Sequence, residues 1–218
     1  MEKITSLSQL DLDGVYTYAD YLTWQFEQAV ELIRGKIMPM AAPSRKHQAI
    51  SRDLYGVFYM YFKNHQCRFY PAPFDVRLFD KVKTAKAHKD VYTVIQPDVC
   101  IVCDLTKLDD QGCKGAPELI VEILSPGNSK KEMRTKKRLY EENGVQEYWI
   151  IDFDHEQAFQ FILNAQSIYE PPIIYVSDEI LDCGLFPDLK IDLEETITRA
   201  CSGVREFAMP PDDSRQIR

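Results

Sequence analysis

Residues Pro117–Gly127 read PELIVEILSPG, and the reading of this stretch decides the fold. The run LIVEIL is apolar on both faces save at Glu122, the pattern of a strand covered on both sides, and Pro126 and Gly127 end it. An unpaired carboxylate inside such a strand costs on the order of several kcal/mol, so Glu122 needs a cation or a shifted pKa. Glu122 is therefore the first candidate catalytic and metal-binding residue.

Downstream, Asn128 or Ser129 can cap a helix that runs to about Glu142, with Gly144 as its stop. At about 100° per residue, Ser129, Met133, Lys136 and Tyr140 share one narrow face, which carries the helix's Met and Tyr and so turns to the sheet. Lys136 is thus the basic residue aimed inward, where its ammonium could position a water and offset phosphate charge. The competing reading is a lysine whose stem packs while its head reaches solvent. VQEYWIIDF returns as a strand, and AFQFILN follows as another.

Upstream, VIQPDVCIVCD gives a strand from Val94 to Asp104, with Asp98 directly after Pro97 at an element edge. If these sequential strands pair, Asp98 and Glu122 meet at one end of the sheet. Two converging acids suit Mg²⁺ or Mn²⁺, with water and phosphate oxygens completing the shell. The structural alternative has Glu122 paired with a lysine and Asp98 capping a turn. Residues from about Thr17 to Gln28 read as helical, and VELIRGKIMPM turns extended around Gly35, with Glu31 as a third acid. Glu31 could orient a water or hold a second ion, although a glutamate in such a place is commonly just exposed. Pro43 and Ser44 open a clear helix whose apolar positions Ile50, Leu54, Val57, Phe58, Tyr61 and Phe62 recur at helical spacing. His47 lies on its apolar face, as a packing residue or as a substrate contact. Cys67 to Phe79 reads as a strand pair or a bent strand, and Asp75 is a weaker polar position on it.

The 218 residues fit one domain, taken as 1–208, with a mobile tail at 209–218. The element order makes an α/β (α+β) protein with a mixed β-sheet flanked by helices. No apolar run approaches the roughly 20 residues that span a membrane, and the first residues lack a secretory signal, so the expected location is cytoplasmic. There the six cysteines are expected to be reduced, and Cys100 and Cys103, in a strand, read as buried apolar residues rather than zinc ligands. The net charge of −8 argues against a polyanionic partner, but residues 129–138 carry six basic side chains and one acid. Lys130, Lys131, Arg134 and Lys137, with His47, are the candidate substrate-binding residues. A second basic segment, KVKTAKAHK from Lys81 to Lys89, falls in a loop.

The stretches VELIRGKI, PSRKHQAI, QPDVCIV, PELIVEILSPGNS and KRLYEENGVQEYWIID, from Val30 to Asp152, resemble the PD-(D/E)XK restriction-endonuclease-like superfamily, and within it the bacterial Uma-type branch. The resemblance implies a restriction-endonuclease-like sheet and acids that bind a divalent metal for phosphodiester hydrolysis. Asp98 matches the aspartate of the PD motif, Glu122 the second acid, Glu31 the early helical acid, and His47 the histidine of the second helix. The common motif places a lysine two residues after the second acid, where this chain has Leu124. The Uma-type branch instead carries a helical lysine four residues before a tyrosine, and Lys136 stands four before Tyr140. Glu132 departs from the aspartate usual in that branch. The expected activity is a Mg²⁺-dependent endonuclease on DNA, for which a two-fold dimer would be suited to the duplex. The alternative is an inactive nucleic-acid-binding or protein-interaction module on the same fold.

Overall fold

The computed structural model describes residues 3–79, 88–125 and 130–199. Its N-terminal part holds a one-turn helix α1 (Tyr18–Tyr21), strands β1 (Val30–Ile33) and β2 (Lys36–Pro39), and the long helix α2 (Arg45–Phe62). Then come β3 (Arg68–Pro71), β4 (Val76–Leu78), β5 (Thr93–Ile95), β6 (Val99–Val102), β7 (Leu108–Asp109), β8 (Gly112–Lys114) and β9 (Leu119–Ile123). Helix α3 (Lys130–Asn143) follows, and β10 (Glu147–Asp152), β11 (Gln157–Ile162), β12 (Ile173–Val176), β13 (Ile180–Asp182) and β14 (Lys190–Asp192) complete the order, with a π-helical turn at Glu194–Arg199.

The principal sheet has the order β12-β11-β10-β9-β6-β3, with β9 and β10 parallel and its other pairs antiparallel. Strand β9 is interior to it, which is why LIVEIL is apolar on both faces. One face carries Leu119, Val121, Trp149 and Ile151, packed against Ile50, Leu54, Phe58 and Phe62 of α2. The other carries Ile120, Tyr148 and Ile150, packed against Leu139 and Tyr140 of α3 and against Val76, Leu78 and Ile95. Those last residues belong to a second mixed sheet, β2-β1-β5-β4-β8-β7. The fold is thus the expected α+β arrangement of mixed sheet and flanking helices.

Local chemistry sets the element ends. Ser44 accepts a bond from His47 N–H at 3.2 Å and caps α2. Helix α3 ends at Gly144 (φ +82°), with Val145 N–H donating to Tyr140 O at 3.0 Å, as the sequence predicts. The hairpin β1–β2 turns on Arg34 and Gly35, at φ +52° and +80°, the left-handed pair of a two-residue turn. At Gly112 a Cβ would stand 2.2 Å from Asp75 O, so only glycine lets β8 approach this closely.

Three expectations are corrected. The helix read over Thr17–Gln28 is only the single turn Tyr18–Tyr21, because Tyr18 is drawn into a core with Leu32 and Val94. Glu31 lies on strand β1, within the stretch read as extended, and not on a helix as the resemblance implied. The cysteines are not all reduced: Cys67 and Cys103 form a disulfide. Strands β3 and β6 pair with Arg68 opposite Val102, and continuing that register sets Cys67 opposite Cys103. Cys100, Cys113 and Cys183 are free, as expected, and all three are buried. Among the described residues no helix is long and apolar enough to cross a membrane. The helix cap at Asn128 or Ser129, nearly all of the second basic segment and the 209–218 tail lie outside the described residues.

Candidate active site

The register of β6 on β9 sets Val99 opposite Val121, so its continuation sets Asp98 opposite Glu122. Glu122 projects from the face covered by α3, while Asp98, just before β6, reaches both β9 and His47 of α2. Ile123 N–H donates to Asp98 Oδ2 at 2.8 Å and so ties the aspartate to the strand that bears the glutamate. Lys136 comes in from α3 and is 8% exposed. Its Nζ lies 3.1 Å from Glu122 Oε1 and 3.0 Å from Glu31 Oε1. Glu31 is 3% exposed, so it is neither a surface acid nor remote from the site. Of the two readings of Lys136, the inward one holds. The reading that paired Glu122 with a lysine also holds, and Lys136 is that lysine.

Further contacts fix each carboxylate. Tyr140 donates its hydroxyl to Glu122 Oε1, the oxygen that Lys136 also contacts. Gln96 N–H donates to Glu31 Oε1 at 2.9 Å. His47 Nε2 stands 3.2 Å from Asp98 Oδ1 and 3.3 Å from Oδ2. On its other side Ser51 Oγ is 3.3 Å from His47 Nδ1 and donates to His47 O at 2.9 Å. His47 thus bridges Ser51 and Asp98, and the contact with the aspartate favours the protonated ring.

Three acids in a small volume perturb one another. Burial raises the Glu122 carboxyl, Lys136 pulls it down, and the charges of Glu31 and Asp98 raise it again, to about 7 in all. Burial alone would lower the Lys136 ammonium, but Glu122 and Glu31 outweigh it and hold the proton firmly. For His47, burial again lowers the value, and the hydrogen bond and charge of Asp98 reverse the sign. Burial and the charge of Glu122 raise the Tyr140 phenol well above its ordinary range, so it stays a donor.

The basic residues are distributed differently. Lys131 and Arg134 are exposed, and by helical geometry they leave α3 on the side opposite Lys136, at about 160–220° around the axis. Lys137 is half-buried and lies over the Phe161 and Tyr169 rings at 5.1 and 5.9 Å. The side chain of Lys130 lies outside the described residues. Among the described substrate-binding candidates, His47 is the one that the structure brings to the carboxylates. Arg138 and Arg34, which were not candidates, each reach Glu142 at 2.7 Å. Sequence reasoning also missed Gln96; its place two residues before Asp98 was the one available signal.

Among the described residues no three His, Cys, Asp or Glu side chains gather as a metal-holding group. The candidate ligands remain the pair Asp98 and Glu122.

The profile of the Uma2 family, described as "Putative restriction endonuclease", matches residues 18–194. A crystal structure from Anabaena variabilis, described as a putative nuclease belonging to DUF820, superposes with a TM-score of 0.65 at 20% identity, covering 85% of this chain and 99% of that one. At that identity the likeness speaks for the fold. No curated protein matches the chain. The matched range contains the two six-stranded sheets, Glu31, Asp98, Glu122 and Lys136, and the chain belongs to the Uma2 family.

Proposed function

We propose that the chain is a divalent-metal-dependent endonuclease that hydrolyses phosphodiester bonds of DNA. The observation that carries this reading is the meeting of acids at the end of β9: Asp98 accepts Ile123 N–H at 2.8 Å beside Glu122, and the Lys136 ammonium lies 3.1 Å from Glu122. The donor set fits Mg²⁺ or Mn²⁺: Asp98 and Glu122 offer hard carboxylate oxygens, and Mg²⁺ commonly takes only one or two carboxylates beside water and phosphate. Burial most of all, with the charges of Glu31 and Asp98, raises the Glu122 carboxyl against the pull of Lys136, and a cation at its free oxygen would offset that. A bound ion there would activate a water and polarise the phosphate.

The protein's own groups have separable roles. Asp98 and Glu122 would hold the metal. Tyr140 and Lys136 hold one Glu122 oxygen in place, and His47 together with Ile123 N–H orients Asp98. Glu31 orients Lys136, whose charge offsets that gathering on the phosphate in the transition state. Lys131 and Arg134 leave the far side of α3, so their contribution is to the wider polyanion field rather than to the scissile group.

The test is cleavage of duplex DNA with Mg²⁺ or Mn²⁺, against a chelator control. Loss of cleavage in Asp98→Ala and Glu122→Ala with the fold retained is the expected result; cleavage equal to wild type in both removes the assignment. A binding module without cleavage is the second reading. It is favoured by the salt bridges in which Lys136 already answers both Glu31 and Glu122, and by the net charge of −8.

A further inference from the structure

A second polar cluster adjoins the site through Gln96. Asp75 precedes β4, and its two oxygens take three donors. Tyr18 OH reaches Oδ2 at 3.1 Å, while Tyr21 OH and Gln96 Nε2 reach Oδ1 at 3.3 and 2.8 Å. Gln96 Nε2 also lies 3.2 Å from the Tyr21 hydroxyl. Burial and the charge of Asp75 raise both phenols, so both remain protonated donors. Asp75 is itself pinned, since its carbonyl accepts Cys113 N–H at 2.9 Å beside the closely packed Gly112.

Gln96 joins the two clusters. Its side chain is held by Asp75 and Tyr21, and its backbone N–H donates to Glu31 at 2.9 Å. Only Pro97, whose φ is fixed, separates it from Asp98. We propose that Asp75 and Gln96 are positioning residues of the active site, a relay that fixes Glu31 and, through it, the Lys136 ammonium against Glu122. This rests on the nuclease reading for its effect on rate, but its geometry stands without it. The connection runs from Asp75 to the Gln96 amide, from the Gln96 N–H to Glu31, and from Glu31 to Lys136.

The test is a polarity swap. Asp75→Asn weakens the bond to the Gln96 amide, and Gln96→Glu sets two carboxylates against each other. The double variant Asp75→Asn with Gln96→Glu restores one donor facing one acceptor in the reverse sense. Two readouts are taken on the full chain: the ¹⁵Nζ resonance of Lys136, assigned by its absence in Lys136→Met, and kcat and KM for DNA cleavage. In each single variant the resonance should move and kcat should fall about 10- to 100-fold, the usual effect of losing an outer partner of a site residue, with KM little changed. The swap should return both. A destabilised control, Glu147→Gln, should leave the Lys136 resonance in place. Unmoved resonance in both single variants overturns the relay, as does a swap that recovers thermal stability but not the resonance. If the wild-type chain cleaves no DNA, the nuclease reading falls and the resonance alone decides the relay.

Discussion

Glu122 on β9 and Glu147 on β10 are glutamates buried in adjacent parallel strands, and they are solvated in opposite ways. Glu147 is 0% exposed and faces the α2 side. Its oxygens accept Trp149 Nε1–H at 2.7 Å, Gln160 Nε2–H at 2.6 Å, and the N–H groups of Gly184 and Leu185 at 3.1 and 2.8 Å. Neutral dipoles replace water there, and the carboxylate fastens the segment between β13 and β14 to the principal sheet. Glu122, on the α3 face, keeps 12% side-chain exposure and is set among Glu31, Asp98 and Lys136. Burial alone does not mark a functional acid. The two differ in whether the surroundings complete the charge with fixed neutral donors or crowd it with other charges and leave a way in.

Substitution should separate the two sites. The largest effect is expected on cleavage: Glu122→Gln or Asp98→Asn should lower it at least about a hundredfold, the scale of losing a main electrostatic group. The melting temperature should hold or rise, because crowding among the acids is relieved. Next, Lys136→Met should cost about 3–5 kcal/mol in denaturant unfolding at neutral pH, since it strands Glu31 and Glu122 without their cation. Glu147→Gln should cost about 1–3 kcal/mol, because an amide nitrogen must face a group of donors. Its cleavage rate per folded molecule should equal that of wild type. A Glu147→Gln protein that is stable but inactive would erase the distinction.

Acidity offers a smaller, finer contrast. With the Glu122 carboxyl raised from 4.5 to about 7, the folded chain binds more protons than the unfolded chain between those values. This contribution to stability is present below about pH 4.5 and is lost as the pH rises through about 7. Unfolding of the metal-free protein at a series of pH values should show that slope in wild type and in Glu147→Gln, and should lose it in Glu122→Gln.

The pairing of β6 with β9, which brings Asp98 near Glu122, and the inward turn of Lys136 were legible in the sequence, because both depend on local periodicity and on strands close along the chain. Glu147 was not legible: an acid at the start of EYWIID reads as a strand-end residue, and its partners Gly184 and Leu185 come from a hairpin 37 and 38 residues away. The same distance hid the bond between Lys136 and Glu31, 105 residues apart. Asp75 looked weak because its worth lies in Gln96, and Gln96 looked like nothing more than the residue before Pro97. For Lys137, read as a substrate contact, nothing in the sequence signalled that its ammonium would lie over the Phe161 and Tyr169 rings. The short α1 and the Cys67–Cys103 bond likewise follow from tertiary packing and sheet register.

Calorimetric titration with Mn²⁺ tests the central claim most directly, because it asks about the carboxylates without needing the right substrate. The account predicts binding in wild type that is lost in both Asp98→Asn and Glu122→Gln and kept in Glu147→Gln. Absence of binding in wild type, or binding that survives in Glu122→Gln, would contradict it.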